Sequence, residues 1–267
     1  MIRAIFFDID GTLVSFKTHQ VPASAAEAIK KYQAKGVKMF ICSGRPTVLL
    51  PDFSLPAFGN LHFDGMVVQN GGCCLDGDGN IIYQKYIDRR DFQHLLQYLN
   101  EVESFPVSVM TQSGVFINYV DERVMYLANV INTPIPAVRP LEEVDDDILM
   151  INVYGEKGLE DRLVKKVLTH CEASRWHPYF ADINVKGNSK RTGIDVMLDH
   201  FGVSLADTMA FGDGGNDISM LEHVAVGVAM GNAEDASVFA AAPYRTGTVE
   251  EDGIASFLTQ YLGIPIY

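Results

Sequence analysis

Two aspartates one residue apart, Asp8 and Asp10, close the apolar run "AIFFDID" and lead directly into Gly11 and Thr12. A buried carboxylate without a partner costs several kcal/mol or is forced to take up a proton. Further acids stand in "FGDGGND" near the C-terminus, Asp213 and Asp217. Carboxylates gathered at one place repel one another, and a hard divalent cation removes the repulsion. Mg²⁺ takes oxygen ligands and keeps some waters, so two or three protein oxygens suffice. Around these acids stand groups suited to an anion. Gly11, Gly44, Gly214 and Gly215 let backbone N–H groups approach closely. The Ser43 hydroxyl and the Lys190 ammonium can bind phosphate oxygens, and Asn216 adds an amide. Aspartate is a covalent nucleophile toward phosphorus. Metal plus phosphate, with a carboxylate beside both, is the chemistry these types imply.

Other uses of the same residues fit less well. An EF-hand loop counted from Asp8 needs Gly at position six and Glu at twelve, where this chain has Leu13 and His19. "GDGGND" has no following Gly-Lys-Ser/Thr and lacks the third glycine of a dinucleotide fingerprint. "DDD" (145–147) reads as a solvated turn, and no H-x-x-x-H pair suggests zinc.

The flanking elements say where these residues meet. "AIFFDID" reads as a buried strand. "VPASAAEAIKKYQAKG" reads as a helix, with Ser24 and Glu27 at capping-box spacing and Gly36 as its stop. "VKMFICSGR" is a second strand. Strand, helix, strand at this spacing is a βαβ unit, which implies a parallel sheet. Ligands collect at the carboxyl ends of such strands, where Asp8, Asp10 and Ser43 would lie. The pattern returns in "TMAFGD", "NDISMLEHV", "AVGVAM" and "NAEDASVFAAA", the last with Asn232 as its expected cap. Between these halves the texture changes. "VSVMTQSGVFINYV" and "DILMINVYG" read as strands, the first broken by a turn at "QSG". "DFQHLLQYLNEV", "DERVMYLANVIN" and "GLEDRLVKKVLTHC" read as helices. "DGDGN" (76–80) reads as a tight turn. The lone Trp176 and the "RWHPYF" stretch read as core of this middle unit sooner than as a substrate contact. The expected organisation is a doubly wound, mostly parallel Rossmann-like α/β core, 1–83 and 186–267, with an inserted α/β cap, 84–185. Hinges are expected near 81–86 and 182–190.

At 267 residues the chain can hold a sizeable core, and 48% apolar with 21% charged residues is ordinary for a folded protein. A net charge of −13 opposes general affinity for nucleic acid or an anionic membrane surface. The four cysteines form no C-x-x-C pair. No signal-peptide pattern and no apolar run long enough to span a membrane is present, so a cytoplasmic location is expected.

"FFDIDGTL", "ICSGR", "KGNSKRTGI" and "FGDGGNDISML", in this order, resemble the four motifs of the haloacid dehalogenase (HAD) superfamily of phosphotransferases. A large α/β insert between the second and third motifs, with "GVAMGNA" and "EEDGIASFL", is similar to its Cof-type sugar-phosphatase branch. The resemblance implies Mg²⁺-dependent hydrolysis of a small phosphorylated metabolite, a sugar phosphate first, through an aspartyl-phosphate. It makes Asp8 the nucleophile and Asp10 the general acid and base. It gives the metal to the Asp8 carboxylate, the Asp10 carbonyl and Asp213. It gives the phosphoryl group to Ser43, Gly44, Lys190 and Asn216, with Asp217 behind them. Ser43 stands where many relatives carry Thr. Arg191 stands where many carry Gly, either as a further cation near the phosphate or facing solvent. A phosphosugar mutase of the same superfamily, or a phospho-receiver module, remains open at this point. A receiver is shorter and has no cap, and its Lys follows the other site residues, whereas here Lys190 precedes the last acids.

Overall fold

Every residue of the first strand, β1 (Ala4–Phe7), is buried, and its side chains alternate between two apolar layers. The computed structural model describes residues 1–263, without the side chain of Trp176, so the expectation for Trp176 lies outside the described residues. After β1 come α1 (Ala23–Gln33), β2 (Lys38–Cys42), β3 (Gly65–Val68), β4 (Cys73–Asp76) and β5 (Ile81–Gln84). The chain then builds α2 (Arg89–Glu101), β6 (Val107–Met110), β7 (Val115–Ile117), α3 (Glu122–Val130) and β8 (Ala137–Val138). β9 (Met150–Tyr154), α4 (Leu159–Lys166), β10 (Cys171–His177) and β11 (Phe180–Val185) follow. The last stretch holds α5 (Lys190–Phe201), β12 (Thr208–Gly212), α6 (Ile218–Leu221), β13 (Val226–Ala229), α7 (Ala236–Ala241), β14 (Tyr244–Arg245) and α8 (Gly253–Leu262).

The larger sheet runs β14-β13-β12-β1-β2-β3-β4-β5, parallel from β14 to β3 and antiparallel at β4 and β5. Ile5 and Phe7 pack on the layer of α1 and α8, while Ala4 and Phe6 pack on that of α5, α6 and α7. Cover on both faces is why these strands read as continuous apolar runs. The second sheet, β10-β11-β9-β6-β7-β8, is antiparallel except between β7 and β8. Val107, Val109, Ile151, Val153, Ala181 and Ile183 turn one of its faces to the helices α2 and α4. The alternate residues Met110, Met150 and Asp182 turn the other face to the first sheet's edge, across a cleft of about 1480 Å³. This is an α/β core with an inserted cap.

Some local expectations are corrected. Pro22 occupies the N-cap of α1 and has no side-chain oxygen to offer, and Ser24 Oγ instead donates to Asp252. Asp235, not Asn232, caps α7, accepting from Ser237 N–H at 2.8 Å. The stretch read as one helix to Cys171 ends at Lys166, and Cys171 opens β10. The "QSG" turn closes with Thr111 N–H on Gly114 O at 2.9 Å, and the 76–80 turn with Asp76 N–H on Asn80 O at 3.0 Å.

Candidate active site

β1 and β12 pair in register through Phe7 and Phe211. The next residues therefore leave the sheet side by side: Asp8 after β1, and Asp213 after β12. Asp8 N–H is still held by Phe211 O at 3.1 Å. β2 pairs with the other side of β1, so Ser43 leaves the same edge. Behind β1 a tight turn brings the chain back, with Gly11 at φ +80° and its N–H on Val14 O at 2.9 Å. A Cβ on Gly11 would collide with the Asp213 carboxylate and the Phe16 ring, so the turn and the close approach both require glycine here.

Lys190 is the first residue of α5. Ser189 and Thr192 form a reciprocal capping box there: Ser189 Oγ accepts from Thr192 N–H at 3.3 Å, and Thr192 Oγ1 from Ser189 N–H at 2.9 Å. A cation at a helix N-terminus opposes the helix dipole, so a different interaction keeps Lys190 there. Its fully buried ammonium donates to Asp8 Oδ1 at 2.6 Å and to Asp217 Oδ1. Asp217 Oδ2 accepts the backbone N–H of Asp213 (2.9 Å) and Gly214 (2.8 Å), which folds the "GDGGND" turn onto the site. Asp213 accepts from Thr12 Oγ1 at 2.9 Å and Asn232 Nδ2 at 3.1 Å.

Burial, then repulsion from Asp217 and Asp10, raises the Asp8 carboxyl to about 7 against the pull of Lys190. Burial and the charges of Asp8 and Asp217 push Asp213 well above the usual carboxylate range. Burial disfavours the Lys190 charge, yet Asp217 and Asp8 more than offset it and hold the ammonium above its ordinary value. The site holds more negative charge than its cations balance. Oxygens of Asp8, Asp213 and Asp217 lie within 4.8 Å of one another. Three hard oxygen donors, crowded and under-neutralised, fit a divalent ion such as Mg²⁺.

Asp10 lines the same cleft but stands outside this trio. Arg45 grips it with two bonds, Nε to Oδ2 at 2.7 Å and Nη2 to Oδ1 at 2.6 Å, and also donates from Nη2 to Ile131 O of the cap at 2.7 Å. Ser43 is buried, and its Oγ accepts Arg45 N–H at 3.1 Å, which leaves the hydroxyl proton free to donate. Ser43, Gly44 and Asn216 line the cleft with Asp8, Asp10 and Asp213. Arg191 is exposed and does not line it.

Four contributors were not singled out from the sequence. Arg45 was visible in "ICSGR" beside Ser43 but carried no role. Asn232 donates to Gly11 O at 2.8 Å as well as to Asp213, a role hidden by its plausibility as a cap. Asn70 and Asp182 meet at 2.6 Å across 112 positions, which no local pattern reveals.

The haloacid dehalogenase-like hydrolase model matches residues 5–258. The chain belongs to that family. A solved HAD subclass IIB sugar phosphatase, BT4131, superposes with a TM-score of 0.89 at 36% identity, covering 98% of this chain and 100% of that one. A structure from work on a trigonal-bipyramidal intermediate in a phosphoryl-transfer superfamily gives 0.91 at 36% identity, covering 99% and 100%. The pyridoxal phosphate phosphatase YbhA of Escherichia coli is 28% identical over 291 residues, 97% of this chain and 98% of its own. This HAD hydrolase is therefore an enzyme of phosphatase type, its chemistry phosphoryl transfer through an aspartate, with Asp8, Asp213 and Asp217 as candidate metal cluster. No helix among the described residues is long and apolar enough to cross a membrane.

Proposed function

We propose that this chain hydrolyses small phosphorylated metabolites, sugar phosphates first, through an aspartyl-phosphate on Asp8. The observation that carries this is the buried Asp8–Lys190–Asp217 cluster with Asp213 beside it, at the strand ends that face the cap. Asp8 attacks phosphorus, and the bond to the leaving oxygen breaks as Asp10 gives that oxygen a proton. Asp10 then takes a proton from water, which attacks the Asp8 phosphoryl group and releases phosphate. A carboxylate held by Arg45 at both oxygens is well oriented, but it must free one of them to carry that proton. Ser43, Gly44, Lys190 and Asn216 hold the phosphoryl oxygens, and Asp217 keeps Lys190 in place from behind. The Asp8 and Asp213 carboxylates and the Asp10 carbonyl would hold Mg²⁺, which would supply positive charge to the transferring oxygens.

The cap sheet roofs this edge. We take the core as 1–83 and 186–267 and the cap as 84–185, with the cap excluding water and meeting the leaving group. The likeness to a sugar phosphatase over nearly the whole chain supports sugar phosphates as first choice.

The test is a screen of sugar phosphates against pyridoxal phosphate with and without Mg²⁺, reading free phosphate, and isomerised product to detect a mutase. Asp8→Asn is expected to abolish release while the fold, read by circular dichroism, survives. Turnover by that variant would reject Asp8 as nucleophile.

A further inference from the structure

A line of hydrogen bonds between buried side chains joins the cap to the phosphate edge. Asn152 on β9 pairs across the sheet with Asp182 on β11 and donates from Nδ2 to its Oδ1 at 2.7 Å. Asp182 Oδ2 accepts from Asn70 Nδ2 at 2.6 Å. Asn70 Oδ1 accepts from Asn216 Nδ2 at 3.1 Å. Asn152, Asp182 and Asn70 are all at most 3% exposed. A Cβ on Gly44 would stand 3.2 Å from Asn70 Oδ1 and 3.4 Å from Asn216 Nδ2, so the last two amides lie against the backbone that follows Ser43.

The direction of this line is set at its cap end. Once ionised, above about pH 7, the Asp182 carboxylate only accepts, and both of its oxygens face amide N–H₂ groups. Asn70 must therefore turn its N–H₂ to the cap and its oxygen to Asn216. If its amide were reversed, Asn70 would present N–H₂ to the Asn216 N–H₂, and both bonds would be lost. The backbone around Asn70 is committed as well. Gln69, Asn70 and Gly71 have φ of 52°, 51° and 92°, a left-handed run that non-glycine residues hold only when their surroundings enforce it. That run hangs from the Ser43 motif, with Asn70 N–H on Ser43 O and Gln69 N–H on Arg45 O, both at 3.1 Å.

We propose that Asp182 is a positioning residue for phosphoryl transfer: from the cap, through Asn70, it fixes the orientation in which Asn216 meets the phosphoryl group. This rests on the assignment of Asn216 to that group under the proposed function. It ties full activity to the docked cap, because Asp182 leaves with the cap when the cleft opens.

The line can be rebuilt with its polarity exchanged. In Asp182→Asn, an amide faces Asn70 and Asn152, and one contact becomes donor against donor. In Asn70→Asp, two carboxylates face each other. In the double variant, residue 182 donates to residue 70 and accepts from Asn152, and residue 70 accepts from Asn216. Steady-state kinetics with p-nitrophenyl phosphate and the best substrate of the screen, alongside melting temperature, make the test. Each single change is expected to lower kcat by about 10- to 100-fold with KM little changed, and the double variant to recover most of the loss. Unchanged kcat in Asp182→Asn, or losses that simply multiply in the double variant, would overturn the proposal. Should one single variant fold poorly, the other single variant and the exchange decide by the same comparison. An inactive Asp8→Asn beside a fully active Asp182→Asn would sink this inference alone, whereas an active Asp8→Asn would sink the phosphatase mechanism beneath it.

Discussion

Lys190→Met keeps an unbranched side chain in a fully buried slot and removes its charge. Asp8 and Asp217, each now bonded to the ammonium, would then share the slot with no cation between them. Removing one partner of a buried ion pair costs about 3–5 kcal/mol, because the remaining charge is stranded. Here one ammonium serves two carboxylates, so the loss belongs in the upper part of that range. At about 2–4 °C per kcal/mol for a chain of this size, 4–5 kcal/mol lowers Tm by about 8–20 °C. The melt is followed by circular dichroism in EDTA and repeated in Mg²⁺. A divalent ion at Asp8 and Asp213 would replace part of the missing charge, so the deficit against wild type should narrow when Mg²⁺ is added. It should also be larger at pH 8 than at pH 5. The Asp8 carboxyl is already raised to about 7 by burial, Asp217 and Asp10, and losing Lys190 raises it further. A folded-state value above the unfolded one makes stability fall as pH climbs through that interval. A Tm in EDTA equal to wild type, or a deficit that grows with Mg²⁺, would refute the view that Lys190 neutralises this cluster.

Gly11→Ala places a methyl against the Asp213 carboxylate at a backbone angle that alanine resists, so phosphatase activity should fall by about 10-fold or more while the Mg²⁺ dependence of Tm weakens. Arg45→Met removes both bonds that orient Asp10 and the bond to Ile131 O, and kcat/KM should drop by about 10-fold or more, whereas unchanged kinetics would show Asp10 needs no such partner. Burial raises the Asp182 carboxyl from an ordinary 3.8 to about 7, opposed by Asn70, Lys190 and Asn152. The folded chain therefore holds this proton longer than the unfolded one, and stability falls between about pH 4 and 7, by up to about 1.4 kcal/mol per pH unit for one proton. Asp182→Asn should flatten that slope in urea melts run across the interval.

The core was legible because its strands are covered on both faces. Ala4–Phe7 is apolar throughout, Lys38–Cys42 and Thr208–Gly212 carry no polar side chain after their first residue, and each ends abruptly in the polar residues of the site. Residues one step beyond paired parallel strands must share an edge, so Asp8, Ser43 and Asp213 could be brought together from pattern alone. The cap was less legible. Its antiparallel sheet buries polar residues on the face that roofs the cleft, and Asp182 and Asn152 break the apolar signal that marks a core strand. Ser174 and Arg175 interrupt the apolar pattern in β10 likewise, and that stretch was not read as a strand. Arg175 is occupied instead by Glu160, with bonds of 2.6 Å to each oxygen. Asn70 escaped notice for another reason. Its position depends on a left-handed run that a non-glycine sequence does not announce, and its partner lies in the other sheet.

The charges of the site determine how it can choose a substrate. Four carboxylates, Asp8, Asp10, Asp213 and Asp217, meet two cations, Lys190 and Arg45. Lys190 is shared by Asp8 and Asp217, and Arg45 is taken by Asp10. Asp213 takes its hydrogen bonds from the neutral donors Thr12 and Asn232, and burial with the charges of Asp8 and Asp217 pushes its carboxyl up. With all four ionised the group carries two excess negative charges, the charge of one divalent ion. Glu250 and Glu251 add to the cleft's acidity, and the chain as a whole is at −13. A phosphate dianion is repelled by this field at a distance. On the proposed assignment, its recognition would arise within the last few ångströms, from the Ser43 hydroxyl, the backbone at Gly44, the Lys190 ammonium and a divalent ion bound by the acids. A cationic funnel would draw in carboxylates and sulfates as readily as phosphates. An acidic cleft with a local positive centre instead favours the anion whose oxygens can reach all of these donors at once.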